Sequence, residues 1–182
     1  MNPTAYLVCG PPSTGLRLTA RILVAAGCDG DGRTEQRFDR AGDWEGFRPA
    51  SDGRRPIVWH RSIPHGRPPT WPRIPALVNQ LWYHGYLVHL IVTVRNWYCV
   101  AASQAAAHGY HGNLMGGIGR AYQHIFQGIG ECNLPWTMAV YESFLLDGLP
   151  AVNPFLDGLG LAPLDSQALE TLTNENRKYY AH

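Results

Sequence analysis

The chain has 182 residues, 15 Lys and Arg against 14 Asp and Glu, a formal charge of +1, and 45% hydrophobic residues. That length suits a single domain, 1–182, with one core, and the hydrophobic share excludes a disordered polypeptide. The near-zero charge supplies no global field for nucleic acid or an anionic membrane, so neither is expected as a partner. Lys178 is the one lysine; the other basic residues are arginine. Arginine pairs bidentately with phosphate and keeps its charge when partly buried, although a skewed genome composition gives the same bias.

Cys9, Cys28, Cys99 and Cys132 form no CxxC pair. Reduced thiols and no zinc site are therefore expected. The start of the chain shows no charged leader followed by a long apolar stretch, and no apolar run approaches the ~20 residues of a membrane span. A cytoplasmic protein with no metal is the expectation.

In chain order, Tyr6–Cys9 predicts a first buried strand and Leu16–Ala26 a following helix, closed by Gly27. Cys28 to Arg55 is polar and rich in Gly, Asp and Arg; it predicts a long surface excursion with one short helix around Asp43–Phe47. Pro56–His60 predicts a second strand. Ile63–Pro75 is a proline-rich loop whose backbone is restricted. Ile74–His84 has helical character. Leu87–Val94 is the strongest strand, and its near-continuous apolar run suits the centre of a parallel sheet. Trp97–Ala107 and Gly116–Glu131 predict helices, the second weakened by its glycines. Trp136–Tyr141 predicts a last strand, with short helices at Glu142–Leu146 and Ser166–Thr173. Strands alternating with helices predict an α/β fold, a P-loop-type parallel sheet of about four to five strands flanked by helices.

The turn after the first strand is the most informative segment. Gly10-Pro11-Pro12-Ser13-Thr14-Gly15 joins an apolar strand to a helix, so backbone N–H groups and the helix dipole converge where an anion would sit. The glycine spacing is that of a nucleoside-triphosphate loop, but Leu16 and Arg17 stand where that loop has Lys and Ser or Thr. ATP or GTP hydrolysis and a nucleotide kinase are therefore disfavoured. Thr14, Arg17 and Thr19 remain as donors. The plain alternative is a strand–turn–helix whose glycines serve only the turn.

Val8 to Leu16 resembles the loop of sulfotransferases that use 3′-phosphoadenosine 5′-phosphosulfate (PAPS), commonly Gly-x-Pro-Arg-Ser-Gly-Thr. Gly10, Pro12 and Gly15 match, Thr14 stands for Ser, and Ser13 and Leu16 depart from Arg and Thr. The resemblance implies that Gly10, Pro12, Ser13, Thr14, Gly15, Leu16 and Arg17 hold the 5′-phosphosulfate, with Arg17 supplying the positive charge. Val92 to Ser103 is similar to the family's 3′-phosphate motif, in which Arg leaves a strand and Ser follows eight residues later. Arg95 and Ser103 fall at that spacing, while Trp97 and Cys99 replace the usual Pro and Asp. The resemblance also implies that the Leu87–Val94 strand lies beside Tyr6–Cys9. For Arg95 the structural alternative is an ion pair with a surface carboxylate; for Ser103 it is a hydrogen bond to its own helix. Tyr141-Glu142 and the tail around Arg177-Lys178 are weaker echoes.

Sulfuryl transfer needs a base, charge compensation and alignment. His60, at the end of the second strand, is the expected base, with Arg61 and Ser62 beside it, His65 as the alternative, and Glu142 and His108 behind them. The implied acceptor is a small molecule or carbohydrate bearing a hydroxyl or amine. The competing expectation is a non-catalytic phosphate-binding module for interaction or assembly.

Overall fold

The computed structural model describes residues 2–30, 55–65, 69–108 and 112–177. The expected helix around Asp43–Phe47 and Lys178 lie outside those residues. Four strands form one sheet: β1 (Thr4–Gly10), β2 (Ile57–Ser62), β3 (Leu87–Val94) and β4 (Trp136–Val140). The helices are α1 (Leu16–Ala25), α2 (Ile74–Tyr83), α3 (Trp97–His108), α4 (Leu114–Cys132), α5 (Tyr141–Leu146), α6 (Leu149–Gly158) and α7 (Ser166–Arg177).

The strand order is β2-β1-β3-β4, and every pairing is parallel. β1 is therefore central, and Ala5, Leu7, Val8 and Cys9 are inaccessible to solvent. A strand covered on both faces must be apolar on both faces, which is why neither β1 nor β3 alternates cleanly. One face packs Leu7, Trp59, Leu90 and Val92 against α2 and α4, through Leu77, Leu81, Ile125 and Ile129. The other packs Tyr6, Val8, Val58 and Ile91 against α1, α6 and α7, through Ile22, Leu23, Leu156 and Leu169. Each such fully buried Leu or Ile contributes about 1.5–3 kcal/mol.

β3 begins and ends at the residues its apolar run predicts. β1 and β2 are longer than their apolar cores, because Thr4, Gly10, Arg61 and Ser62 join the ladder without a hydrophobic signal. Helix α6 is an addition to the expected elements. Its Pro150 sits in the first turn, where no N–H is needed, and Gly148 precedes it at φ 64°. Pro154 lies inside the helix, which still buries Val152 and Leu156. The glycines of α4 serve packing at Gly128, where a Cβ would come within 2.5 Å of Ile74 on α2.

The connection from β1 goes through α1 to β2 on one side. β3 lies on the other side of β1. The chain thus reverses direction across the sheet between β1 and β3. Open parallel sheets leave a crevice at the carboxyl ends of such strands, and ligands bind there.

Candidate anion site at the carboxyl ends of the strands

The turn from β1 is shaped by close approach to β3. A Cβ on Gly10 would strike the Thr93 hydroxyl and come within 2.6 Å of Thr14 Oγ1. Thr14 Oγ1 donates to Pro11 O at 2.7 Å and lies 2.6 Å from Thr93 Oγ1. Each hydroxyl carries one proton, so with Thr14 donating to Pro11 the short contact is made by the Thr93 proton. Thr14 is inaccessible to solvent. Its hydroxyl ties the turn to itself through Pro11 and to β3 through Thr93. Ser13 and Gly15 have φ 71° and 96°. Alternation of left-handed and ordinary conformations turns successive N–H groups to one side, as in anion-binding nests.

Helix α1 starts at Leu16 with no side-chain cap and no acidic residue in its first turn. Its leading N–H groups and positive dipole end are directed to the mouth of the turn. Leu16 is buried under the turn, and Arg17 is exposed on the first helical turn.

Arg95 leaves the end of β3 and reaches back to this turn. Its Nη1 donates to Ser13 O at 3.1 Å. Its guanidinium lies 4.7 Å from the Tyr141 ring centroid, and Nε is 3.9 Å from Glu142 Oε1. The side chain is only 9% exposed. Arg95 thus borders the turn and lies beside a carboxylate. Glu142 Oε1 also accepts from Asn96 N at 3.0 Å. Asn96 in turn caps α3, its Oδ1 accepting from Tyr98 N and Cys99 N at 3.0 and 3.3 Å. With Asn96 as cap, α3 begins at Trp97 without the proline of the resembling motif.

From α3, Gln104 Nε2 donates to Pro12 O at 2.7 Å and is buried. Ser103, one residue earlier, is half-buried. Tyr122 on α4 donates to Thr93 O at 3.0 Å; burial raises its pKa, opposed by an Arg95 backbone hydrogen bond, and it stays a protonated donor. Burial likewise pushes the Cys9 thiol up, against the lowering field of Arg61, so Cys9 stays protonated beneath the turn.

On the other side of β1, Val8 is in register with His60, Cys9 with Arg61 and Gly10 with Ser62. β2 runs two residues past His60, so that histidine sits inside the sheet at 8% exposure. Arg61 is 1% exposed on the face that carries Trp59 and Ile63. Ser62 is at the rim, and its Oγ is 3.0 Å from Nδ1 of His65.

Thr93 and Gln104 were not singled out by the sequence. Their signals were slight: one polar residue within an apolar strand, and one long amide within the small-residue run Ala101-Ala102-Ser103-Gln104-Ala105. Among the described residues, no group of three His, Cys, Asp or Glu could hold a metal ion, and no helix is long and apolar enough to cross a membrane.

These elements define a parallel α/β protein with a glycine-bounded strand–turn–helix at its strand-order reversal. No protein-family model matches the chain, and no curated protein matches it. Among solved structures it is similar to the crystal structure of mouse sulfotransferase SULT7A1 complexed with PAP, at 14% identity and a TM-score of 0.49. That likeness covers 95% of this chain and 63% of the mouse protein's chain, so the chain spans less than two thirds of that length. A likeness of this degree carries no argument about activity.

Proposed function

We propose that the protein is a sulfotransferase that moves a sulfuryl group from PAPS to a hydroxyl or amine of a small-molecule or carbohydrate acceptor. The observation that carries this reading is the meeting of the uncapped α1 turn with Arg95, whose Nη1 is 3.1 Å from Ser13 O. Two positively polarised features at one strand-order reversal suit a ligand with two separate anionic groups. The residues fit such a donor: the α1 N–H groups and Arg17 face a 5′-phosphosulfate, and Arg95 with Ser103 forms the 3′-phosphate side. Bound there, PAPS would supply the activated sulfuryl group.

The chain's own contribution is positioning and charge compensation, as in phosphoryl transfer. The N–H groups of α1 offset charge at the site of bond breaking. Ser13, Thr14 and Gln104 hold the turn in shape, and Glu142 and Tyr141 hold Arg95. A base must face the acceptor; His60 in β2 is the candidate, with His65, past the end of that strand, as the alternative.

Isothermal titration tests the reading with 3′-phosphoadenosine 5′-phosphate (PAP) against AMP. Tighter binding of the bisphosphate is expected; equal affinity would remove the dedicated second pocket and the proposal with it.

The Arg95–Glu142 pair favours a second reading, in which the arginine secures the turn and the protein is a phosphate-binding module without catalysis. Transfer of labelled sulfate from PAPS to acceptors distinguishes an enzyme from that module.

A further inference from the structure

We propose that the outer edge of β4 is where two copies of this chain meet, as an antiparallel strand pair centred on Met138. β4 closes the sheet at one end and pairs with β3 alone among the described residues. Leu90 N donates to Pro135 O at 3.0 Å. In a parallel ladder, alternate residues turn their N–H and C=O groups to the same neighbour. Pro135, Thr137 and Ala139 therefore point to β3, and Trp136 and Met138 point outward. Val140 is still extended, at φ −91° and ψ 109°.

A free strand edge invites another strand, and folded proteins usually blunt it with a charge, a proline or a bulge. Trp136-Thr137-Met138-Ala139-Val140 has no charged residue and no proline. Its register with β3 runs without a break from Leu90–Trp136 to Val94–Val140. The side chains add an apolar strip. Trp136, Met138 and Val140 share the sheet face of their register partners Leu90, Val92 and Val94. On that face α4 covers Leu7 and Leu90 through Ile125 and Ile129, and none of the three β4 residues joins this core. They stay 43%, 45% and 36% exposed. Phe126 of α4 meets the Trp136 ring edge-on at 5.3 Å, and Trp97 stacks on Tyr122, one helical turn before Phe126. Phe126 and Trp97 are exposed as well.

A second copy is the occupant that this surface fits. A two-fold axis at Met138 sets β4 antiparallel to itself and joins two four-stranded sheets into one, with both strips on the same face. Met138 then lies opposite its own copy, and Trp136 lies opposite Val140 of the partner subunit, an aromatic against a β-branched residue. The alternation of large and small side chains reads the same in both directions, so the strip matches itself. It carries no charge that would select an acidic or basic partner. Large aromatic side chains present about 150–250 Å² each, so the exposed fractions leave about 400 Å² of apolar strip per copy. That is about half of the ~800 Å² per partner of a standard interface, and the edge backbone with a polar rim supplies the usual remainder. The contact is independent of the chemistry at the turn after β1.

Sedimentation velocity on the full chain, at about 100 μM so that micromolar interfaces are populated, is expected to give a particle of twice the chain's 20.2 kDa. Met138→Lys and Met138→Glu each set like charges opposite one another. Each is expected to weaken the dimer at least ~100-fold, the scale of like-charge juxtaposition in an interface. Mixing the two variants is expected to restore it, because the antiparallel pair then sets an ammonium against a carboxylate. Met138→Cys, oxidised with copper phenanthroline, is expected to form a disulfide-linked dimer at a level that the native chain, with its own exposed Cys99, does not reach. Hydrogen-bonded antiparallel partners have Cα atoms about 5.5 Å apart, within the reach of a disulfide.

A native chain that stays monomeric at that concentration, a dimer untouched by either charge, or a dimer lost in both variants and not regained on mixing overturns the contact. Where circular dichroism shows that a charge variant fails to fold, the Met138→Cys cross-link decides, and its absence overturns the contact too.

Discussion

The hydroxyls of Thr14 and Thr93 lie 2.6 Å apart, and both side chains are inaccessible to solvent. One belongs to the turn after β1 and the other to the last turn-facing position of β3. The contact fixes the cradle relative to the strand that delivers Arg95. It also leaves no room for a side chain at Gly10.

Gly10→Ala should therefore destabilise the fold by about 1–3 kcal/mol, the scale of overpacking in a filled core. Chemical denaturation measures it. In a Thr93→Ala background the added methyl meets one fewer obstacle, so the same substitution should cost less. An equal cost in both backgrounds would mean that Thr93 does not set the space at Gly10.

Arg95→Ala should weaken PAP binding by at least ~1.5 kcal/mol, the scale of a charge-assisted hydrogen bond, and weaken AMP binding far less. Calorimetry with both ligands makes the comparison. Unchanged PAP affinity removes Arg95 from the ligand site. Equal losses for both ligands assign it to holding Ser13 and the turn.

Gln104→Ala strips Pro12 O of its donor. The expected loss of stability is about 0.5–1.5 kcal/mol, that of one hydrogen bond. Amide exchange at residues 13–16 should accelerate with it, because the turn loses its tie to α3. Unaltered exchange there would show that the turn is held by Thr93 and Arg95 without help.

His89 gives a pH dependence. Burial lowers its pKa below the usual histidine value, and Nε2 shares a 2.8 Å hydrogen bond with Thr137 Oγ1. The folded chain thus disfavours the imidazolium, and the unfolded chain binds the proton more readily. This contribution is fully present above about pH 6.5, the unperturbed value, and is lost as pH falls through the lowered folded one. Denaturation midpoints between pH 7.5 and 5 should fall less steeply for His89→Gln than for the native chain. Identical slopes would place the acid sensitivity elsewhere.

Much of the fold was legible because it is written in local periodicity. The run Leu87–Val94 is apolar on both faces, and a buried parallel strand demands that, so its bounds came through unchanged. The ends of β1 and β2 were less clear: Gly10 and Ser62 pair through their backbones, which leave no mark in side-chain pattern. Helix α6 escaped because Pro150 and Pro154 read as breakers, whereas a first-turn proline has no N–H to lose. At the site, the glycines at 10 and 15 and the arginine at 95 carried a signal because turns and strand ends restrict residue type. Gln104 and Thr93 carried only slight ones, since each acts on a carbonyl or hydroxyl far away in sequence.

The order of residues determined by itself where strands and helices form, which turn collects N–H groups, and that an arginine follows the strongest strand. Those are consequences of side-chain size, polarity and backbone freedom over a few neighbouring positions. Only the assembled sheet decided that Arg95 rests on Ser13, that Ser62 is paired with Gly10, and that Thr14 faces Thr93. Such contacts depend on strand order and register, which come from how separate segments share one core, and no short stretch of chain encodes them.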